Sequence, residues 1–485
     1  MFLARLASCH GGMRCTTVLP SLVLPCLPRA SDRNTVAHRS SDRLFVAALV
    51  AGTLPGIFSY VAVGIAVPGI ARDFGIGPQT VHWVASAYIA AMMGGMLIAG
   101  ALLARIGLRG SLRAAAVVFG LASLWAATTD GFWPLVAARF LMGLAGGLGQ
   151  PLALVVMYEA WPAHERGKAT ALSGVAGAAV ATLSPSLAGV LVDALSWRAI
   201  FAAPIPLALA FLLAAHYAPV RAREPDHSFD FIGLIAIHAA LLALLSLDLR
   251  QPFASPATFA ALAVLGASSG VLLWRQRSAR APLFDPALYR HPAYVAASVC
   301  ALLYGALLFG LSYLLPIHFQ LGLGLSATAA GLWLIAPGVA VVTAIHFAGQ
   351  LTDRLSFRPI LAAGLALAAV GTGALAIGAL AGTVLAATAW AIVARSGTGM
   401  VFCALNTGAT RVVPESLLPQ VPGATNFFRI LGGGLGVKAV SLFMGPAQPT
   451  APSAGGFSGA FLLMTLLAGI ALLAAWQMRP LRSGE

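Results

Sequence analysis

The sequence predicts an all-α membrane protein of fourteen transmembrane helices, arranged as two six-helix bundles with a two-helix insert between them. Three observations carry this. Of 485 residues, 59% are hydrophobic and only 9% charged, against about 25% charged in an ordinary soluble domain. The apolar residues form long spans free of Asp, Glu, Lys and Arg rather than amphipathic periods. Segments of the two halves also match each other at nearly fixed offsets. This composition excludes a soluble enzyme, a disordered tail protein and a fibrous repeat. The net charge of +14 is not gathered in one patch, so no nucleic-acid partner is expected.

A transmembrane helix takes about 20 mostly apolar residues. Breaks at polar, Gly and Pro clusters give spans at 44–68, 81–104, 114–129, 133–157, 169–192 and 199–217, then 232–248 and 256–274. The remaining six lie at 294–317, 327–350, 359–379, 384–408, 423–444 and 457–477. The amino-terminal bundle is therefore 44–218, the insert with its flanking loops 219–293, and the carboxy-terminal bundle 294–477. Residues 478–485 form a short tail. Residues 1–43 are Arg- and Ser-rich, lack a long apolar core, and read as a disordered tail or, alternatively, a transit peptide.

The basic residues orient the chain. With both termini cytoplasmic, the inner segments hold 22 of the 29 Lys and Arg, and the outer loops hold only Arg72, Arg198 and Arg250. Cytoplasmic loops carry the Lys/Arg excess in membrane proteins. Four cations stay within spans: Arg139, Arg395, Arg429 and Lys438. No Asp or Glu lies near the middle of any span. The five cysteines show no metal-ligand or disulfide spacing, and no cofactor is expected.

The halves repeat at matched anchors. Gly100-Ala-Leu-Leu-Ala-Arg105-Ile-Gly-Leu-Arg109 aligns with Gly349-Gln-Leu-Thr-Asp353-Arg354-Leu-Ser-Phe-Arg358. Pro68 and Pro316 precede these segments at nearly equal distance, and Arg139 with Gly143 repeats the spacing of Arg395 with Gly399. Transporters are often built from such halves, with the substrate site at their interface near the bilayer midplane.

These stretches resemble the major facilitator superfamily, in its fourteen-helix drug:proton antiporter branch. Further support comes from Ser196-Trp-Arg-Ala-Ile-Phe201, Phe229-Asp-Phe-Ile-Gly233, Pro282-Leu-Phe-Asp285 and Asn426-Phe-Phe-Arg429 running into Gly432. The resemblance covers about residues 44–477. It implies the major facilitator fold, no enzymatic activity, and a bacterial inner-membrane carrier. It also implies proton-coupled export of small amphipathic compounds by alternating access, as a monomer.

The resemblance assigns roles to particular residues. Gly100, Arg105 and Arg109, with Gly349, Asp353, Arg354 and Arg358, correspond to the cytoplasmic gating loops, where an acid and basic residues form a charge lock. Ala104 replaces the acid in the first copy. Arg139 corresponds to the family arginine linked to proton coupling, and Met142 stands where the family has Gln. Pro185 and Gly189 match the antiporter-type helix motif. The first span departs most, with Ser59 in place of the expected Asp.

A buried Arg costs about 2.5–3.5 kcal/mol on insertion scales, so it usually faces a cavity or a partner. Arg139 could instead snorkel from its helix end, whereas Arg395 lies deeper. The expected pathway joins Arg139, Arg395, Arg429 and Asn426 with Ser59, Tyr60, Met142 and Tyr304. Cations without acids disfavour a lipophilic cation as substrate and favour an anionic or neutral solute. Among the span histidines, His346 is the best proton carrier in place of the missing Asp, His318 reads as wet, and His238 sits apart in the insert. Gly143-Leu-Ala-Gly-Gly-Leu-Gly149 mimics a phosphate loop, but close helix packing is the better account. Two alternatives stay open: an anion carrier with weak or no proton coupling, and a non-transporting receptor or scaffold.

Overall fold

The computed structural model describes residues 40–160, 166–217, 229–247, 255–278, 286–379, 382–444 and 454–478. The predicted tails, apart from Ser40–Arg43 and Met478, lie outside the described residues, as does the Asp353 side chain. The described residues form helices joined by short turns, with no strand among them. The first group comprises α1 (Ser40–Phe74), α2 (Pro78–Val81), α3 (Trp83–Thr128), α4 (Phe132–Ala160), α5 (Arg166–Ala194), α6 (Ala199–Ala202) and α7 (Ile205–Ala214). Then come α8 (Phe231–Ser246) and α9 (Pro256–Ser278). The last group is α10 (Pro292–Ile317), α11 (Ala327–Trp333), α12 (Ile335–Arg354), α13 (Phe357–Gly378), α14 (Val384–Arg411), α15 (Val421–Phe443) and α16 (Ala454–Gln477).

Ten helical segments among the described residues are long and apolar enough to cross a membrane. One of them, Pro78–Thr128, has 51 residues, which at 1.5 Å per residue would reach about 75 Å. That exceeds twice a hydrocarbon core of about 30 Å. The run is two helices broken at Gly107, whose φ of 73° only glycine adopts without strain. The second copy of the repeat turns at the matching place: α12 ends at Arg354, and Leu355 and Ser356 lead into α13. Two apolar helices are shorter, Ala199–Leu213 and Phe231–Ser246. The helix α15 has the length but carries Arg429, Lys438 and a run of glycines, which lower its hydropathy.

Polar contacts sort the helix ends onto two faces. On one, Arg198 pairs with Asp73 at 3.5 Å and with Asp130 at 3.3 Å, and Trp197 Nε1 donates to Asp73 at 2.6 Å. Asp193 belongs to this aspartate face and accepts the Thr328 backbone N–H at 2.7 Å. On the opposite, arginine face, Arg113 meets His216 at 2.8 Å and Arg358 donates to the Trp476 carbonyl at 2.9 Å. The buried Asp230 caps α8 through Gly233 and accepts from Arg275 at 2.9 Å, fastening α8 to α9. Helices that begin on one face end on the other, so the chain alternates between them.

Small residues set the helix spacing. A methyl on Gly143 would lie 2.2 Å from the Tyr88 carbonyl, and one on Gly147 would lie 2.1 Å from the Met92 carbonyl. The glycine-rich run of α4 is thus the seam along which α4 lies on α3, the helix-packing account rather than a phosphate loop. The same device joins the first and last groups: a methyl on Gly189 would meet the Ala327 carbonyl at 2.3 Å, and one on Gly331 would meet that of Pro185 at 2.4 Å.

Gly147→Ala is expected to force α3 and α4 apart and to lower the unfolding midpoint of the detergent-purified protein. Gly270→Ala, where a methyl meets nothing within 4 Å, should leave the midpoint unchanged or raise it. Equal midpoints for both variants would show that the seam tolerates a methyl.

Candidate functional site: a cluster of cations between the halves

Arg139 is fully buried. It does not snorkel, and it is more enclosed than Arg395, contrary to the sequence expectation. Its Nε donates to the Val84 carbonyl at 2.8 Å and its Nη1 to Ser59 Oγ at 2.5 Å. The guanidinium lies over the Tyr88 ring at 4.2 Å and 5.6 Å from that of Phe201. Tyr88 in turn donates to the Gly56 carbonyl at 2.8 Å. Arg139 Nη2 has no hydrogen-bond partner among the described residues. The charge is thus held by a hydroxyl, a carbonyl and aromatic faces, all from the first group of helices. Ser59, at the position where an Asp was expected, is the residue that touches it. Met142 is buried one helical turn along α4.

Next to Ser59 on α1, Tyr60 turns toward the other group, with its ring 5.5 Å from that of Phe309. Arg395 on α14 donates to Ser312 Oγ at 3.1 Å and lies 3.4 Å from the Leu308 carbonyl. Arg139 on α4 thus meets Ser59 on α1, and Arg395 on α14 meets Ser312 on α10. Arg429 on α15 bonds Asn426 Oδ1 and lies 5.1 Å from the Phe402 ring centroid, and its Nε has no described partner. Asn426 Nδ2 reaches across to Met96 Sδ on α3 at 3.2 Å. Tyr60 and Tyr304 both lie in the field of Arg395 and Arg429. The structure thus brings together Tyr60, Tyr304, Arg395, Asn426 and Arg429, with the Ser59–Arg139 pair directly behind Tyr60. The acids whose side chains are described, Asp73, Asp130, Asp193, Asp230 and Glu415, all sit at or beyond helix ends.

This cluster keeps partial exposure. Tyr60, Arg395, Phe402, Asn426 and Arg429 are half-buried, and exposure grows toward the arginine face at Gly100, Asn406 and Gly423. Asn406 shares a helix face with Phe402, four residues on. A methyl at Gly100 or Gly423 would meet nothing within 4 Å. Toward the aspartate face the groups are sealed. Ser186 Oγ donates to the Gly331 carbonyl at 2.8 Å, Gln320 donates to that of Ile65 at 3.1 Å, and Gly64 abuts Ser312 and Pro316. Pro185 and Gly189 lie on this seal.

The arginines expected to belong to gating loops stand apart from the cluster. Arg105 covers the Phe231 ring of the insert at 4.7 Å, Arg358 bonds the Trp476 carbonyl, and Arg354 is exposed. A methyl on Gly349 would lie 3.6 Å from Cys403 Sγ. His346 is exposed on α12, its Nε2 3.0 Å from the Gln350 amide nitrogen, and does not join the cluster. His318 is 2% exposed, enclosed by Phe457 and Phe461, and is not wet. His238 packs its ring on Gly94 of α3 and near Phe140 of α4. Sequence reasoning missed His82, between α2 and α3. It is fully buried, with Nδ1 3.1 Å from Ser86 Oγ and Nε2 3.4 Å from Lys438 Nζ on α15. Its place at a predicted span edge hid it, because nothing local shows that α15 brings a lysine to it.

The family model described as the Major Facilitator Superfamily matches residues 49–437. The chain belongs to the major facilitator superfamily. An uncharacterized MFS-type transporter of Mycobacterium tuberculosis is 30% identical over 82% of this chain and 69% of its own length. A putative multidrug resistance protein MdtD of Cronobacter sakazakii is 27% identical over 85% of this chain and 89% of its own. The lincomycin resistance protein LmrB of Listeria monocytogenes is 24% identical over 89% and 95%. Among solved structures, a D-xylose-proton symporter superimposes with a TM-score of 0.64 at 18% identity, covering 91% of this chain and 99% of its own. A POT family transporter reaches 0.67 at 14% identity, covering 88% and 94%. These likenesses show the fold. The chain is a multi-pass membrane protein of a transporter family.

Ser59→Ala is expected to leave the buried guanidinium one acceptor short and to destabilise the protein by about 1–3 kcal/mol, read as a lower unfolding midpoint. Ser59→Asp supplies a carboxylate to the same group and should keep or raise the midpoint. If Ser59→Ala melts like the parent while Ser59→Asp melts lower, the hydroxyl is not what holds Arg139.

Proposed function

We propose that this protein is a secondary active transporter exporting small amphipathic compounds by alternating access, in a bacterial inner membrane, as a monomer coupled to protons. The supporting observation is the cluster of Arg395, Arg429, Asn426, Tyr60 and Tyr304 between two groups of helices that meet tightly at one face and part toward the other. A non-transporting scaffold has no use for half-exposed arginines among its helices, where each would cost about 2.5–3.5 kcal/mol to insert. Relatives named for multidrug and lincomycin resistance support drug-type cargo.

In this reading the chain crosses fourteen times. The run Pro78–Thr128 counts twice, and α7, α8 and α15 each cross once. Two six-helix bundles, 44–218 and 294–477, rock about the cluster, with 219–293 as an insert. The arginine face is cytoplasmic, because it carries the Lys/Arg excess. The described conformation is then open to the cytoplasm and sealed outside. The substrate enters from the inside or the inner leaflet, and its polar group meets Arg395 and Arg429 while its apolar part lies against Phe309, Phe402 and Met96. Gly100, Arg105, Arg109, Gly349, Asp353, Arg354 and Arg358 sit where the cytoplasmic closure would form.

A second reading is favoured by one observation. No described acid approaches the cluster, so its field is positive. An anionic or neutral solute fits it better than a lipophilic cation, and coupling to protons is then weak or absent.

Arg395→Ala is expected to abolish transport in reconstituted vesicles while the protein still inserts and stays monodisperse. Normal flux would remove Arg395 from the pathway. A proton uncoupler should collapse export, and export that continues unchanged would favour the uncoupled anion carrier.

A further inference from the structure

His82 and Lys438 meet across the seam between the two groups of helices, near the aspartate face. The ring is fully buried and Lys438 is 8% exposed. With Nε2 3.4 Å from Lys438 Nζ and Nδ1 3.1 Å from Ser86 Oγ, both ring nitrogens are engaged. A lysine ammonium donates to Nε2 only if that nitrogen carries no proton. If Nε2 carries the proton, the lysine must be neutral. The contact therefore holds one proton fewer than the two groups carry when both are charged. Two buried positive charges at this separation repel strongly.

Around His82 the described residues place no negative charge within reach of the ring. Burial of the ring acts first against its charged form, and from α15 the field of Lys438 adds to it. From α3 come Ser86 and the Trp83 ring, stacked at 5.5 Å. From α4, Trp133 lies behind Trp83 at 6.4 Å, and Arg139 bonds the Val84 carbonyl two residues along. From α1, Asp73 is already engaged by Trp197 and Arg198. Among the described residues no carboxylate reaches His82 to stabilise an imidazolium.

We propose that His82 is a proton-binding residue of the transport cycle, taking up a proton from the aspartate face only when that face is open. Parting of the groups wets the ring and separates it from Lys438. The imidazole then titrates near its ordinary value of about 6.5. Closing brings the lysine back and expels one proton, which leaves to the aqueous phase at that face. Acid on the aspartate side therefore favours the open state. By linkage, the open-to-closed ratio rises about tenfold per pH unit below about 6.5 and is flat well above it. This rests on the alternating-access reading, and it adds a residue outside the arginine cluster.

The test places spin labels at Leu195→Cys and Leu385→Cys, on opposite groups at the aspartate face, in a background without the native cysteines. Distances are measured on purified, reconstituted protein between pH 8 and pH 5. The parent should gain a longer-distance population as pH falls. His82→Gln should abolish the pH response by removing the titrating group, and Lys438→Gln should weaken it by removing the repulsion while leaving the ring buried. An unchanged response in His82→Gln, or none in the parent, overturns the proposal. Uncoupler-sensitive export with a pH-flat distance overturns it while sparing the carrier reading. A protein that shows one distance at every pH and moves no solute overturns both.

Discussion

A guanidinium in a membrane must have something to face. Everything at the centre of this molecule follows from placing several there with no carboxylate beside them among the described residues. Arg139 has a solution made wholly of neutral groups: a serine hydroxyl, a backbone carbonyl and aromatic faces. Cation–π contacts of this kind are worth about 2 kcal/mol or more when desolvated, which helps offset the missing acid. Arg395 repeats the pattern with Ser312, but keeps partial exposure. Arg429 borrows Asn426 and Phe402. One enclosed charge and two partly exposed ones are thereby separated. The first is walled into one group of helices, and the other two border the space between groups.

That division explains the role of Tyr60. It sits between the enclosed pair Ser59–Arg139 and the open cluster, with its ring against Phe309 of the opposite group. Movement of the groups against each other must alter what Tyr60 faces, while Ser59 stays attached to Arg139. The seal on the aspartate side is of another kind. It is built from glycines that let backbones touch, with side-chain to backbone hydrogen bonds at Ser186, Gln320 and Asp193. Contacts of that sort are close in shape but few in charge, so they can form and separate without stranding a buried ion. His82 and Lys438 are the exception, and this is why they are sensitive to protons.

Much of this was legible in the sequence, and the reasons differ by element. The apolar spans and the charged loops were visible because a bilayer imposes a length and a charge rule on each helix separately. The repeat aligned Gly107 with Ser356, and the structure turns at both places. The cluster of Arg395, Arg429 and Asn426 was legible because polar residues in a span need a common purpose. The depth of Arg139 was not legible, since distance from a helix end says nothing about what packs around that end. For His318, the enclosing rings of Phe457 and Phe461 come from α16, far along the chain. His82 was invisible for the same reason: its partner lies 356 residues away, and only the packing of α15 against α2 joins them.

The central claim is that a positive, water-accessible vestibule lies between the two groups and opens at the arginine face. Ser312, which accepts from Arg395 at 3.1 Å, reports on it most directly. A single cysteine at Ser312→Cys, in a background lacking the five native cysteines, is exposed to anionic and cationic methanethiosulfonates of similar size from the arginine side. After correction for their reactivity toward a free thiol, the anionic reagent should react several-fold faster, and Arg429→Gln should narrow the difference. Equal rates, a faster cationic reagent, or no reaction with either would contradict the account.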